Sequence, residues 1–271
     1  MVKTVLITGA SSGIGAAAVR LFQSQGWNVA ATMRSPDKAP ELAQLERVIC
    51  PRLDVNDPAS IPAAIAQTLD QFGSIDVLVN NAGYALLGPF EATDPEQIRQ
   101  QFNTNVFGLM EVTRAILPHF RDRKAGILIN IASIGGQMTF PLYSSYHGTK
   151  WAVEGFSESL QYELEEFNIR VKIIEPGPIK TDFYGRSEDV AQKEGLTAYD
   201  DLVKKVVPNL KRAGATGSPP EVTARVIYKA ATDGSSKLRY PAGGNAGLLL
   251  FARRFSLERG WRRGIRWVTM R

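Results

Sequence analysis

Thr4-Val5-Leu6-Ile7-Thr8-Gly9-Ala10-Ser11-Ser12-Gly13-Ile14-Gly15 decides the fold. An apolar run ends in a glycine-rich turn, and helical periodicity over residues 13–25 follows at once. A strand apolar at nearly every position suits a sheet covered on both faces. Glycines in the turn let the backbone approach a pyrophosphate and aim amide N–H groups, reinforced by the helix N-terminus, at its charge. Gly9, Ser11, Ser12, Gly13, Ile14 and Gly15 therefore read as a nucleotide-binding turn. The alternative is an ordinary turn that happens to be glycine-rich. The spacing Thr-Gly-x-x-x-Gly-x-Gly departs from the dinucleotide fingerprint Gly-x-Gly-x-x-Gly.

Working outward, Val- and Ile-rich runs recur at residues 2–8, 28–33, 48–53, 77–80, 127–132 and 171–175, with a last short one at 238–241. Helical periodicity fills 13–25, 58–72, 95–121, 144–167 and 219–232. This alternation predicts a single doubly wound α/β domain of Rossmann type, a parallel sheet with helices on both faces, over residues 1–245. Residues 177–218 are polar and weakly periodic, and a connection of that length reads as a substrate loop. Residues 246–271 form a separate C-terminal tail.

The chain has 271 residues, 44% of them hydrophobic, enough for a full core. Cys50 is the only cysteine, so no intrachain disulfide forms and a reducing compartment is expected. The apolar run near the N-terminus is too short for a signal peptide or a membrane span, which predicts a cytoplasmic protein. The net charge of +5 has a local origin. From Arg253 onward, seven arginines stand against one acid, Glu258, giving +6 in the tail and about −1 in the body. The body carries no electrostatic footprint for nucleic acid.

Cofactor choice is written after the second strand, where a carboxylate would accept from a ribose 2′-OH and repel a 2′-phosphate. Here Thr32-Met33-Arg34-Ser35 has no acid, and Arg34 can pair a phosphate through its planar fork, favouring NADP(H) over NAD(H). Asp54, with Val55 beside it, can accept from an adenine amino group or cap the next turn. Asn81, Ala82 and Gly83 close the fourth strand, where a parallel sheet presents its ligand crevice.

Tyr146 and Lys150 are four apart on one helical stretch and so share a face. Moving a proton to or from an alcohol oxygen calls for an acid/base that works near neutral pH, whereas free tyrosine titrates near 10. An ammonium one turn away stabilises the phenolate. Of eight tyrosines only Tyr146 has this spacing, although one such pair is an ordinary coincidence in a chain with twelve lysines. Ser133 ends the fifth strand, where its hydroxyl either holds a substrate oxygen or caps a turn. Asn105 lies inside a helical stretch. Two histidines and one cysteine make no recognisable metal site, and no Gly-x-Ser-x-Gly elbow supports a hydrolase.

In this order the pieces resemble the short-chain dehydrogenase/reductase family, in its compact single-domain branch, over residues 2–183. The motifs that carry the resemblance are Thr8 to Gly15, Asn80 to Gly83, Asn105, Ser133, Tyr146, Lys150, and Pro176-Gly177 followed by Thr181. The resemblance implies an oxidoreductase that moves a hydride between a nicotinamide and a carbonyl or alcohol. It implies Tyr146 as proton donor or acceptor, and Lys150 as the group that lowers its pKa and binds the nicotinamide ribose. Ser133 would orient the substrate oxygen, Asn105 support a water relay, Pro176 and Gly177 help bind the cofactor, and Ile179 and Thr181 contact its carboxamide. Ala31 to Arg34 and Glu154 to Ser157 are similar to the 17β-hydroxysteroid and retinol dehydrogenase-like subgroup. Relatives commonly pair as homodimers or homotetramers through the helices at 95–121 and 144–167.

An apolar rim of Tyr84, Leu86, Leu87, Met138, Phe140, Tyr143, Phe183 and Tyr184 favours a lipophilic substrate, while the same residues would also serve to pack loops. Apolar and basic residues alternate at helical spacing along the tail. The tail reads either as a peripheral contact with an anionic membrane or as a segment docked on its own domain or a partner. The competing reading is a catalytically silent NADP(H)-binding regulator or scaffold; a third, a sugar-nucleotide epimerase or dehydratase of the larger related branch, lacks both its glycine spacing and its added substrate domain here.

Overall fold

Val5, Leu6 and Ile7 are all fully buried, because alternate side chains of this first strand enter two different cores. Val5 and Ile7 pack with Val19, Phe22 and Ile227 on one face of the sheet, and Leu6 packs with Ile65, Val112, Ile116 and Leu160 on the other. A computed structural model describes residues 2–181 and 188–270. Its strands are β1 Thr4–Ile7, β2 Asn28–Ala31, β3 Val48–Ile49, β4 Val77–Asn80, β5 Ala85–Leu87, β6 Gly126–Ile131, β7 Ile169–Pro176, β8 Glu188–Val190 and β9 Arg239–Ala242. Its α-helices are α1 Gly13–Ser24, α2 Pro40–Ala43, α3 Ser60–Phe72, α4 Pro95–Phe102, α5 Gly108–Arg123, α6 Ser144–Leu164, α7 Asp200–Ala215, α8 Pro220–Thr232, α9 Ala246–Phe255 and α10 Glu258–Thr269.

Seven strands form one parallel sheet in the order β3-β2-β1-β4-β6-β7-β9, with β5 and β8 paired separately. Helices α1 and α8 cover one face, and α3, α5 and α6 the other. This is the expected doubly wound α/β architecture. Strand order reverses between β1 and β4, and a crevice opens beyond their carboxyl ends.

Three elements differ from expectation. The strand predicted over 48–53 is only Val48–Ile49, with one further bridge from Met33 to Arg52, because Pro51 has no N–H for the ladder. The helix predicted over 95–121 is broken by a π-turn at Asn103–Phe107, which sets off α4 from α5. Gly108, just past the turn, lies so close to Val55 that a Cβ there would stand 2.7 Å from the Val55 Cβ. The segment 177–218 is not simply a loop, since it contains α7, whose Val206 and Leu210 are buried against Ala85, Leu87, Tyr143 and Tyr146. The tail folds into α9 and α10 and packs back on the domain.

Candidate active site

Residues from β1, β2, β4, β6 and β7 meet at the carboxyl edge of the sheet around a cleft of about 1100 Å³. The glycine-rich turn is shaped by contacts that leave no room for side chains. Gly9 has φ +63°, and a Cβ there would lie 2.8 Å from the Ala82 Cα. A Cβ on Gly15 would lie 2.5 Å from the Gly9 carbonyl oxygen, so the start of α1 can press on the end of β1 only as glycine. Asn81 holds the turn from behind, its Nδ2 donating to the carbonyls of Thr8 (2.9 Å) and Gly9 (3.0 Å). Thr8 Oγ1 accepts from the amides of Asn81 and Ala82.

Ser12 takes the N-cap position of α1, yet no described side chain caps this helix and no acid lies in its first turn. The amides of that turn thus face the cleft with the positive end of the helix dipole, as an anion site requires. The residues present fit a dinucleotide: Gly9, Ser11, Ser12, Gly13, Ile14, Arg34, Asp54, Val55, Asn81, Ala82, Gly83, Pro176, Gly177, Ile179 and Thr181 all line the cleft. Exposed Arg34 is joined at the rim by Ser35 and Lys38, two residues sequence reasoning missed. Asp54 Oδ1 accepts from the Asn56 amide, so this carboxylate caps a turn while it borders the cleft.

Tyr146, Lys150 and Ser133 converge on one wall of the same cleft. Helix α6 puts Tyr146 and Lys150 one turn apart, with Lys150 Nζ 5.8 Å from the centre of the Tyr146 ring. The buried ammonium donates to the Ile131 carbonyl at 2.9 Å. Burial pushes its pKa down to about 8, and the nearby Glu154 charge opposes that shift. Ser133 Oγ accepts from the Gly135 amide at 3.0 Å, so the residue caps a short 3₁₀ turn and keeps its O–H hydrogen to donate.

Gly15 and Asn105 do not line the cleft. Gly15 packs against Gly9 and Asn81 beneath the turn. Asn105 is buried in the π-turn, donating from Nδ2 to the Tyr84 carbonyl (2.9 Å) and to Thr149 Oγ1 (3.1 Å) and accepting at Oδ1 from the Tyr84 amide (3.0 Å). Its amide group braces the Gly83-Tyr84 corner behind Lys150. Of the expected rim, Tyr84, Phe140 and Tyr143 line the cleft. Leu86, Leu87 and Met138 are buried in separate apolar clusters and serve packing, and Phe183 and Tyr184 lie outside the described residues.

Two further features support the wall, one of which, His147, itself lines the cleft. His147 is buried between α6 and the segment after β6. Its Nε2 accepts from the Phe140 amide (2.9 Å), and Nδ1–H then donates to the Gly135 carbonyl (3.0 Å). Burial pulls its pKa down to about 4, so the ring stays neutral. Beneath Lys150, Glu154 pairs with Arg239 (2.9 Å), and buried Glu175 accepts from Gln137. Burial, then the Glu154 charge, push Glu175 up to about 8. Glu154 Oε1 is buried with no hydrogen-bond donor among the described residues, close to the Glu175 carboxyl. Neither histidine nor carboxyl pair has a sequence signature, since each partner comes from a different element. Lys38 was legible, lying four residues after Arg34.

Residues 3–191 match the model of the short chain dehydrogenase family. An uncharacterised oxidoreductase of Schizosaccharomyces pombe is 48% identical over 211 residues, covering 78% of this chain and 88% of the relative. A 3-ketodihydrosphingosine reductase of Bacteroides thetaiotaomicron is 34% identical over 230 residues, covering 84% and 82%. A short-chain dehydrogenase structure from Streptomyces avermitilis superposes with TM-score 0.84 at 34% identity, over 98% of both chains. ElxO, solved with NADP bound, superposes with TM-score 0.74 at 27% identity, over 92% of this chain and 100% of that one. A 3-ketoacyl-(acyl-carrier-protein) reductase from Brucella melitensis, solved with NADH, superposes with TM-score 0.76 at 25% identity, over 90% and 98%.

Proposed function

This chain belongs to the short-chain dehydrogenase family and is an oxidoreductase, and from that premise we propose an NADP(H)-dependent reductase of a lipophilic carbonyl. The observation that carries the reading is the convergence of Tyr146, Lys150 and Ser133 on a cleft that also receives the uncapped N-terminus of α1. When bound, the reduced dinucleotide supplies a hydride to the carbonyl carbon. Ser133 donates its hydroxyl hydrogen to the carbonyl oxygen and holds it within reach of Tyr146. The Tyr146 phenol gives its proton to that oxygen as the alcohol forms, and the buried Lys150 ammonium stabilises the phenolate left behind. Asn105 holds the Gly83-Tyr84 corner in place. The α1 N-terminus and the turn from Gly9 to Ile14 would hold the pyrophosphate, and Arg34, Ser35 and Lys38 a 2′-phosphate.

The apolar wall of Phe140, Tyr143 and Leu210 supports a lipophilic substrate, as does similarity to a relative whose name specifies a ketone on a sphingoid lipid. Exposed Phe107, Trp151 and Tyr162, beside or on α5 and α6, support a homodimer or homotetramer built on those helices. The test is NADPH oxidation with a series of lipid ketones, for the full chain and Tyr146→Phe. Turnover of lipid ketones that Tyr146→Phe abolishes supports the reading. Equal turnover by both proteins, or none with any ketone, overturns it.

A further inference from the structure

The C-terminal helices have two apolar faces, of which the domain uses one. On α9, Leu249 and Leu250 pack inward beside Ile134 and Met138. Leu248, Phe251 and Phe255, at spacings of three and four, point outward and are 68%, 64% and 70% exposed, and Leu257 after the helix is 85% exposed. On α10, Trp261, Ile265 and Thr269 turn inward, while Arg259, Arg262, Arg263 and Arg266 are exposed. Arg253, 5.8 Å from the Trp261 ring, ties the two helices together.

We propose that this outer face is a docking surface for an anionic lipid bilayer, on which α9 and α10 lie flat. Exposed apolar residues on α9 and exposed arginines on α10, with Glu258 as the only acid in residues 246–271, are complementary to a surface of acyl chains and negative headgroups. The same charges disfavour a second copy of this chain, which would set arginine rows against each other across a twofold interface. A nucleic acid would match the arginines but leave Leu248, Phe251 and Phe255 in water. With 10 and 12 residues the helices are too short to span a bilayer, and among the described residues no helix is long and apolar enough to do so.

The inner faces of these helices reach the active site. Trp261 and Phe140 both pack against the cluster of Ile134, Met138 and Ala246, and Met270, just after α10, packs against the cluster that contains Tyr143 and Tyr146. Docking on the outer face would therefore hold the cleft residues Phe140 and Tyr143 one helix layer from the membrane, where a lipophilic carbonyl dissolves. This consequence rests on the substrate reading above; the docking surface itself does not.

The test is co-sedimentation of the full chain with phosphatidylcholine vesicles, with and without phosphatidylglycerol. Binding is expected only with phosphatidylglycerol and weakens with salt. Arg262→Gln combined with Arg263→Gln lowers the affinity roughly thirtyfold. Phe251→Ser combined with Phe255→Ser also releases the protein, with thermal unfolding and NADPH affinity unchanged in both variants. Equal binding to neutral and anionic vesicles, no binding, or dissociation of an oligomer by the phenylalanine variant overturns the proposal. Turnover of a short, water-soluble ketone separates the two readings. Loss of vesicle binding with this turnover intact supports the docking surface, whereas vesicle binding by a protein inactive on every ketone overturns the substrate reading alone.

Discussion

Lys150 stands 5.8 Å from the centre of the Tyr146 ring while its ammonium donates to the Ile131 carbonyl. The cation is thus pinned by the end of β6 and cannot swing away from the phenol. Replacing the phenol removes the proton donor without disturbing that anchor. Tyr146→Phe is expected to lower kcat by at least about 10²-fold, the usual share of a general acid. NADPH affinity, measured by fluorescence titration, should stay within a few-fold.

The same lysine sets an alkaline limit. Burial brings its pKa down to about 8, so in the free protein the ammonium is present below that pH and lost above it. Reduction needs the charged form, and kcat/KM reports the free protein. The reductive kcat/KM should therefore fall as pH rises through about 8. A profile flat to pH 10 would contradict the role given to Lys150.

Arg34 and Lys38 are exposed at the cleft rim, and the stretch Thr32 to Ser35 directly after β2 has no acid. Charge-assisted hydrogen bonds to phosphate contribute about 1.5–3 kcal/mol each, or roughly 10- to 150-fold in affinity. Arg34→Ala should raise the KM for NADPH within that range and leave the KM for NADH nearly unchanged. Steady-state kinetics with both cofactors decides it.

His147 joins Gly135 to Phe140 through both ring nitrogens. His147→Ala leaves a buried carbonyl and amide unpaired beside a cavity, a loss of about 2–4 kcal/mol visible in urea unfolding. The wall carrying Phe140 then loosens, so KM for the ketone should rise more than KM for NADPH. With a pKa near 4 the ring stays neutral from pH 5 upward, and it should contribute no limb to the activity profile there.

Glu175 gives a stability signature. Its pKa is about 8 in the folded chain and near the ordinary carboxyl value when unfolded. Between those values the folded state binds more protons, so this group makes stability fall as pH rises from about 4.5 to 8. Glu175→Gln removes the titration, and its Tm should drop less than the wild type's between pH 5 and pH 8.

Legibility followed range along the chain. The strands, the helix following each glycine-rich or polar turn, and the Tyr146–Lys150 spacing depend on neighbours within a few residues, and they could be read directly. Helix α7 was also readable in principle, because Leu202, Val203, Val206, Val207 and Leu210 keep helical spacing inside a segment that reads as polar on average. The carboxyl pair, the His147 clamp and the π-turn at Asn105 were not, since each answers to groups 7 to 85 positions away along the chain.

The sequence by itself determined a doubly wound sheet and a set of acid/base and nucleotide-binding side chains, because hydrophobic periodicity and glycine spacing act locally. Tertiary structure alone decided which of those side chains share a cleft, that Asn105 and Gly15 brace it from outside, and which face of the basic tail stays exposed. Those outcomes depend on packing between elements, where burial and a few long-range hydrogen bonds, rather than local pattern, select one arrangement.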